Sequence, residues 1–310
     1  MEMQFGQLYY RNMPRKLLII VLLLSCLSAA ADTGLPAYVL QLPASVSTVL
    51  IAETDTATLH QFGVARDGLV AAETTRMSIG QNGVAKQRTG DRRTPLGIYF
   101  VVEELDTSGL NEKYGPVAFP LDYPNAWDSI NNRTGYGIWI HGVAPDGGIR
   151  PKRDTDGCIA LPNDQLLSLK PYLSPSQTPV IVTRQIRKAS EQEIETTREL
   201  LLDALDAWVS SYRSGDWNRF LSSYAQEFVY RGMSLAEWSA YRLHSVGSRK
   251  IEDYTVADVL LLADPEDEGL FLSRFRQEVT EDGQTVATTK RLYWRKSATG
   301  RFQIVAEDNG

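Results

Sequence analysis

Residues 136–161, YGIWIHGVAPDGGIRPKRDTDGCIAL, constrain the fold and the chemistry of this chain more than any other stretch. The segment GIWIHG has the alternating pattern of a β-strand that ends at a glycine. A turn is predicted at residues 145–148 (PDGG). Residues 155–158 (TDGC) form a second segment where the backbone can come close to its neighbours, and an apolar segment follows. The pattern places a strand-end histidine, His141, beside a cysteine, Cys158, that follows a glycine.

This pairing suits a thiol nucleophile beside its base. A free thiol has a pKa of about 8.5, and a neighbouring imidazole can take its proton to form a thiolate–imidazolium pair. Gly157 lets another backbone or a substrate carbonyl approach closely, and the N–H groups of Gly157 and Cys158 can hold an oxyanion. The alternative interpretation is a buried structural cysteine and a hydrogen-bonded histidine, which is the commoner case for an arbitrary pair.

The residues around Cys158 and His141 indicate a particular family, which an arbitrary cysteine and histidine would not. IHG, a loop and TDGCIAL resemble the signature of YkuD-type L,D-transpeptidases, which is His-Gly, a variable loop, and Ser-x-Gly-Cys-(Ile/Val)-Arg. Residues 90–99, GDRRTPLGIY, resemble the G-D-x-x-T-P-x-G-x-Y segment of that family. Residues 123–125 and 133–135 resemble the stretch before the histidine in its ErfK/YafK branch. The resemblance covers residues 46 to 185, with Thr155 in place of the usual serine and Ala160 in place of the usual arginine.

The resemblance implies a mainly β catalytic domain over residues 46–186, folded as a YkuD-like β-sandwich. Such enzymes remodel bacterial peptidoglycan through an acyl-enzyme on the cysteine, so the implied partner is a peptidoglycan stem peptide. A backbone carbonyl near Gly142 or Thr155 is expected to orient the imidazole, with the Asp154 or Asp156 side chain as alternatives. The assigned residues are Cys158 and His141 as catalytic, Gly157, Thr155 and Gly142 as oxyanion-stabilising or orienting, and Arg92, Thr94 and Gly97 as substrate-binding.

The N-terminal 31 residues have the pattern of an export signal. Arg11, Arg15 and Lys16 precede an apolar run at residues 17–24, and three alanines at residues 29–31 form an A-x-A cleavage site. The apolar run is too short to span a membrane. The sequence therefore predicts a periplasmic protein, with lipid anchoring through Cys26 as the alternative.

The cysteine content and the net charge of the chain narrow the range of possible functions. Of the two cysteines, Cys26 leaves with the signal, so the exported protein has one thiol and no internal disulfide. An unpaired thiol in an oxidising compartment indicates reactivity. The formal net charge of −6 becomes −8 after cleavage, because residues 1–31 hold three basic residues and one acidic residue. This charge argues against a nucleic-acid surface, and the sequence implies no metal and no organic cofactor.

Residues 190–310 form a second region, in which helices precede strands. Ser190 and Glu193 have the pattern of a capping box at the start of a long amphipathic helix. Two shorter helices and four strands follow, with a hairpin turn at residues 281–284. The pattern predicts a smaller α+β cone domain, and it resembles the SnoaL-like or nuclear-transport-factor-like fold.

We interpret the cone as a docking or substrate-recruiting module, with an envelope protein as a candidate partner. Three functions compete for the whole chain: L,D-transpeptidation, hydrolysis of peptidoglycan or peptidoglycan–protein links by the same thiol, and non-catalytic wall binding. The replacement of arginine by Ala160 favours hydrolysis more than is usual in the family. Because each region has its own apolar pattern, the sequence also predicts that residues 32–186 fold alone.

Overall fold

The computed structural model describes residues 34–65, 68–146, 150–246 and 251–310 of the 310-residue chain. The predicted export signal, including Cys26, lies outside these residues, as do residues 147–148 of the predicted turn. In the described ranges, no helix combines the length and the apolar composition needed to cross a membrane.

The first region, residues 34–189, is built mainly from short strands. Gly-, Pro- and Asp-containing turns separate apolar runs that are too short for long helices. In chain order its elements are β1 (Leu35–Pro36), β2 (Val39–Gln41), β3 (Thr48–Glu53), β4 (Thr58–Ala65), β5 (Gly68–Arg76), β6 (Ile79–Gly80), β7 (Gly97–Phe100), β8 (Leu105–Asp106), β9 (Val117–Pro120), α1 (Ala126–Ile130), β10 (Trp139–His141), β11 (Arg153–Thr155), β12 (Ile159–Ala160), α2 (Asn163–Leu169), β13 (Pro179–Thr183) and β14 (Lys188–Ala189), with 3-10 turns at Glu112–Tyr114 and Lys170–Tyr172.

Two sheets form the sandwich that the sequence predicts. One has the strand order β5-β4-β3-β13-β7, and the other has the order β12-β10-β9-β8. Between them lies a core that includes Leu50, Tyr99, Phe119 and Ile140, each at most 1% exposed. The predicted β-sandwich is therefore confirmed. In the second sheet, β10 pairs in parallel with β12, with His141 opposite Ala160, so this pairing brings the two motif segments together.

The second region, residues 190–310, has long helices and long antiparallel strands. The predicted capping box is present, since the Ser190 side chain accepts the N–H of Glu193 and the Glu193 carboxylate accepts the N–H of Ser190. The predicted hairpin is also present, with Asp282 and Gly283 at positive φ. Its elements are α3 (Glu191–Ser214), α4 (Trp217–Leu221), β15 (Val229–Tyr230), β16 (Met233–Ser234), α5 (Leu235–Val246), β17 (Ile251–Ala263), β18 (Leu270–Glu281), β19 (Gln284–Lys296) and β20 (Phe302–Asp308).

The cone sheet contains a strand from the start of the first region. Its order is β2-β17-β18-β19-β20, and Leu262 pairs with Val39 across more than 200 residues of sequence. The helices cover one face of this sheet, where Trp208, Trp238 and Phe275 are at most 2% exposed. This arrangement confirms the predicted α+β cone, but the cone sheet is completed by a strand that lies outside residues 190–310.

The other face of the cone sheet packs against the sandwich. Along β3 the side chains alternate, so Leu50 faces the sandwich core while Val49 and Ile51 face the cone. We call the resulting cluster the shared core. It consists of Tyr38, Val39, Val46, Val49, Ile51, Ile98, Phe100, Ile181, Ala225, Leu260, Leu262, Leu270, Leu272, Tyr293, Val305 and Ala306. The two regions therefore share part of their core, because the five-stranded sheet of the sandwich is buried on both faces, and this argues against the prediction that residues 32–186 fold alone.

Polar contacts hold the same interface at its edges. Arg291 of β19 forms ion pairs with Asp122 of the sandwich and with Asp308 of β20, and its guanidinium lies 5.7 Å from the centre of the Phe100 ring. Arg274 of β18 donates to the carbonyl oxygen of Ser176 and also stacks on Phe100. These contacts fix the orientation of the cone sheet on the sandwich.

Asp264, at the end of β17, gives the first testable prediction. Burial raises the pKa of this carboxyl from 3.8 to about 6, while its Oδ1 accepts the N–H groups of Glu266 and Asp267. The folded state therefore binds the proton more tightly than the unfolded state, so the free energy of unfolding falls as pH rises from about 4 to 6.

Asp264→Asn keeps the Oδ1 acceptor and removes the charge. We expect it to raise the free energy of unfolding by about 2 to 3 kcal/mol at pH 7.5, from the shift of about two pKa units, and to change it little at pH 4. Urea unfolding of both proteins at the two pH values measures this difference. An equal stabilisation at both pH values would contradict the burial of a charged carboxylate.

Candidate active site

Cys158 and His141 line the same cavity, which has a volume of about 270 Å³. His141 is the last residue of β10, and Cys158 directly precedes β12, so the parallel pairing of these strands sets their relative position. Both side chains are buried, at 4% and 8% exposure. The cavity is also lined by Tyr114, Thr155 and several charged residues, so it can expose a substrate to the thiol and the imidazole together.

A backbone carbonyl orients the imidazole. The Nδ1 of His141 lies 2.6 Å from the carbonyl oxygen of Gly142, which can only accept a hydrogen bond, so Nδ1 carries the proton. In the neutral ring, Nε2 is then the atom that can accept a proton. The Gly142 carbonyl was one of the groups expected from the sequence to orient the imidazole, and it is the one that contacts the ring. Asp154, an alternative orienting group, forms an ion pair with Arg150.

Asn163 and Tyr114 hold the segment that contains His141 and Gly142. The Asn163 side chain accepts the N–H of Val143 and donates to its carbonyl oxygen, while Tyr114 accepts the N–H of Gly142 with its own carbonyl. The Tyr114 ring also packs edge-on against His141 at 5.2 Å between ring centres. A Cβ on Gly142 would lie 2.2 Å from the Asn163 side chain, so glycine is required there.

The sequence indicated neither of these two supporting roles. Tyr114 belongs to a stretch rich in aromatic residues, and Asn163 follows Pro162 after the cysteine motif. An asparagine next to Pro162 is a signal for a capping side chain, but here the side chain bonds to Val143, which is distant in sequence. Asp91 was also missed, although an aspartate after a glycine in a loop is a turn signal.

Thr155 holds the turn that presents Cys158. Its hydroxyl donates to the carbonyl oxygen of Cys158 at 2.7 Å and accepts the N–H of Gly157 at 3.1 Å. The predicted oxyanion role of the Gly157 N–H is therefore not supported, because that donor is already engaged. Gly157 has φ of +128°, and a Cβ there would lie 2.7 Å from the carbonyl oxygen of Arg93, so this position requires glycine.

None of the three predicted substrate-binding residues is among those that line the Cys158 cavity. Thr94 is fully buried, and its hydroxyl accepts the N–H of Gly80. Gly97 lies in β7 with φ of +138°, next to the Tyr99 hydroxyl, and it is not part of the Cys158 cavity. These two residues have structural roles, whereas Arg92 is exposed at the cavity mouth, where its guanidinium faces Asp156.

Asp91 shapes the loop that carries Arg92. Its carboxylate accepts the N–H groups of Gln87, Arg88 and Arg93 and the ammonium of Lys86. Burial opposes ionisation of this carboxyl, but the four donors outweigh it and lower its pKa to about 2. The loop therefore keeps a fixed backbone against the Gly157 turn.

The Cys158 thiol and the His141 imidazole are both neutral at rest. Burial raises the pKa of Cys158 to about 11, with the nearby backbone N–H of Trp139 acting in the opposite direction, and the thiol donates to the Gly137 carbonyl oxygen at 3.3 Å. Burial lowers the pKa of His141 to about 4. The thiolate–imidazolium pair expected from the sequence is thus disfavoured. A neutral imidazole that takes the thiol proton as the sulfur attacks fits both shifts.

His141→Gln tests this assignment. We expect it to lower turnover at least about a hundredfold, which is typical for the loss of a general base. Alkylation of Cys158 by iodoacetamide should also become slow at neutral pH and accelerate only towards pH 11, because no base assists the buried thiol. The measurement is the alkylation rate from pH 6 to 11, followed by mass spectrometry. Rates equal to wild type over this range would show that His141 does not activate Cys158.

Comparison with known protein families supports the class of protein defined by the fold and the site. The family described as the L,D-transpeptidase catalytic domain, YkuD, matches residues 50–182, and the family described as the Cds6 C-terminal NTF2-like domain matches residues 200–308. The chain is therefore an L,D-transpeptidase-fold protein in which a YkuD catalytic domain is followed by a Cds6 C-terminal NTF2-like domain. The family resemblances inferred from the sequence are confirmed.

Two solved structures share both regions. Bd1075 from Bdellovibrio bacteriovorus is 23% identical, with a TM-score of 0.73, and the match covers 89% of this chain and 98% of that one. The helical cell shape determining protein Pgp2 from Campylobacter jejuni is also 23% identical, with a TM-score of 0.73, and the match covers 84% and 91%. At this identity the likeness establishes the fold. No curated protein gives a significant match to the sequence.

Proposed function

We propose that this protein is a cysteine acyltransferase that acts on peptidoglycan stem peptides, with L,D-transpeptidation as its reaction. The observation that carries the proposal is the shared cavity of Cys158 and His141, in which the Gly142 carbonyl fixes the imidazole tautomer. The match of residues 50–182 to the L,D-transpeptidase catalytic domain supplies the substrate class. A non-catalytic wall-binding protein would have no need for this arrangement.

The proposed reaction has two steps. The Cys158 sulfur attacks a stem-peptide carbonyl carbon while its proton passes to Nε2 of His141, and the Cys158 N–H stabilises the oxyanion. The carbon–nitrogen bond breaks, and the leaving amine takes the proton from His141. An amine acceptor then attacks the thioester carbon and gives its proton to His141. The carbon–sulfur bond breaks, and the sulfur takes the proton from His141 to regenerate the thiol.

Hydrolysis of peptidoglycan or peptidoglycan–protein links is the second candidate, with water as the acceptor. The observation that favours it is Ala160, which stands where the family has arginine. Its side chain is 2% exposed in β12 and borders a second cavity of about 290 Å³. The missing cation removes a group that could hold the carboxylate of an acceptor peptide, which favours water as the acceptor.

The export pattern of residues 1–31 supports a periplasmic location for this chemistry, and lipid anchoring through Cys26 is the alternative. Because Pgp2 is named as a cell shape determining protein, we propose that the reaction contributes to cell shape. We assign the cone a recruiting role, with an envelope protein as a candidate partner.

The decisive experiment is incubation of the purified protein with bacterial sacculi, followed by mass spectrometry of the released muropeptides. New cross-links or exchanged terminal residues identify a transferase, whereas only shortened or released products identify a hydrolase. A muropeptide profile that does not change in either direction would contradict both enzymatic functions and leave wall binding.

A further inference from the structure

Asp156 lies between two cations at the mouth of the Cys158 cavity. Its Oδ1 is 3.6 Å from Nε of Arg92, and its Oδ2 is 3.9 Å from Nζ of Lys113. Arg92 extends from the loop fixed by Asp91, and Lys113 comes from the 3-10 turn that carries Tyr114, so the two cations approach from different walls. Asp156 itself is two residues before the nucleophile, and Asp156 and Lys113 both line the cavity.

Two other cations that line the cavity also have an acidic partner, but those pairs are tighter. Lys86 donates to Asp91 at 2.7 Å, and both side chains are less than 10% exposed. Arg150 donates through Nε to the Asp154 carboxylate and through Nη2 to its carbonyl oxygen. A buried or doubly bonded pair is costly to separate, because separation leaves a desolvated charge without its partner.

The Asp156 pairs are much weaker. Neither distance is short enough for a hydrogen bond, and the three side chains are 52–65% exposed. Exposed ion pairs of this kind contribute about 0 to 1 kcal/mol. A ligand carboxylate that forms hydrogen bonds to Lys113 or Arg92 would therefore displace Asp156 at little cost.

We propose that Lys113 and Arg92 form a carboxylate-binding site for the substrate and that Asp156 is the exchangeable anion that occupies it at rest. The proposal deepens the proposed function and rests on it for the identity of the substrate, a peptide with a free carboxylate near the attacked carbonyl. Asp156 then sets specificity, because neutral peptides have no charge with which to displace it.

Alkylation of Cys158 by two reagents tests the site without any assumption about peptidoglycan. Iodoacetate is anionic and iodoacetamide is neutral, and both react with the same sulfur, so the ratio of their rate constants cancels changes in thiol reactivity. Asp156→Asn should raise the iodoacetate-to-iodoacetamide ratio about two- to fivefold, and Lys113→Gln should lower it by a similar factor. Both effects should shrink in 1 M NaCl.

A matched control separates the site from general charge effects. Glu104 forms an exposed pair with Lys170 outside the cavity, so Glu104→Gln makes the same charge change and should leave the ratio unchanged. If Asp156 acts by occupying the cation site, its effect should depend on the two cations. In a Lys113→Gln, Arg92→Gln protein, Asp156→Asn should therefore change the rate ratio much less than it does in wild type. An unchanged ratio in Asp156→Asn, or strictly additive effects, would overturn the proposal.

The peptide experiment distinguishes this site from the proposed reaction. With a stem tetrapeptide as substrate, Lys113→Gln should raise KM several-fold at nearly constant kcat, and Lys113→Arg should keep KM near the wild-type value. With the amidated peptide, neither substitution should change KM. Equal responses of the acid and the amide would overturn the carboxylate site. If alkylation shows the site and no peptide is turned over, the proposed reaction fails while the anion site stands.

Discussion

Cys158→Ala should reduce turnover on sacculi by more than about a thousandfold, to the background of the assay. In the proposed reaction the sulfur is both the nucleophile and the atom that carries the acyl group, and no other cysteine lies in the described residues. The fold should survive, because the change removes one small buried atom and one hydrogen bond to the Gly137 carbonyl. We expect a loss of about 1 to 2 kcal/mol of stability.

Two measurements on the same protein check this expectation. Thermal melting reports the fold, and covalent labelling by a carbapenem, detected as a mass increase, reports the acyl-enzyme. A variant that melts normally, takes no label and releases no muropeptide product supports the thiol mechanism. Undiminished turnover in that folded variant would eliminate it, whatever the comparisons with other proteins suggest.

Removal of residues 190–310 should have the largest effect on stability. It would uncover the cone-facing side of the sandwich sheet, where Ile51, Phe100 and Ile181 are at most 3% exposed in the intact chain. Each such side chain contributes about 1.5 to 3 kcal/mol through burial, and a whole domain has only about 5 to 15 kcal/mol of stability. We therefore expect the truncated chain to unfold or aggregate at 37 °C.

Far-ultraviolet circular dichroism and sedimentation of the truncated chain measure this outcome. The matched control is the same truncation with Ile51→Thr and Ile181→Thr, which makes the uncovered face more polar and should recover solubility. The same two substitutions should destabilise the full chain, because there they place hydroxyls in the shared core. A truncated chain that is soluble and melts like the full protein would restore the idea of two independent modules.

Local sequence signals predicted several features of the structure. Ser190 and Glu193 cap α3, and Asp282-Gly283 forms a hairpin turn, because these devices depend on residues close in sequence. The presence of Cys158 and His141 in one cavity was also predictable, because both residues belong to the motif that was identified in the sequence. In each case the interacting residues belong to one segment or to one recognised motif.

Features that depend on contacts between residues far apart in the sequence could not be predicted from local sequence signals. The sequence around Thr94 and Gly97 resembles a substrate-contacting motif, but the packing of Thr94 on Gly80 and of Gly97 on Tyr99 is visible only in the fold. The engagement of the Gly157 N–H by Thr155 required atomic positions. Burial likewise decides that the Cys158 thiol and the His141 imidazole are neutral, and burial depends on the whole fold.

The strand Val39–Gln41 has a consequence for the order in which the chain folds. Its partner, β17, begins more than 200 residues later, so an early part of the chain must wait for nearly the last part before its backbone is paired. Closing such a long loop costs chain entropy before any contact compensates for the loss. This step is therefore slow. We therefore expect the cone sheet to close late in folding.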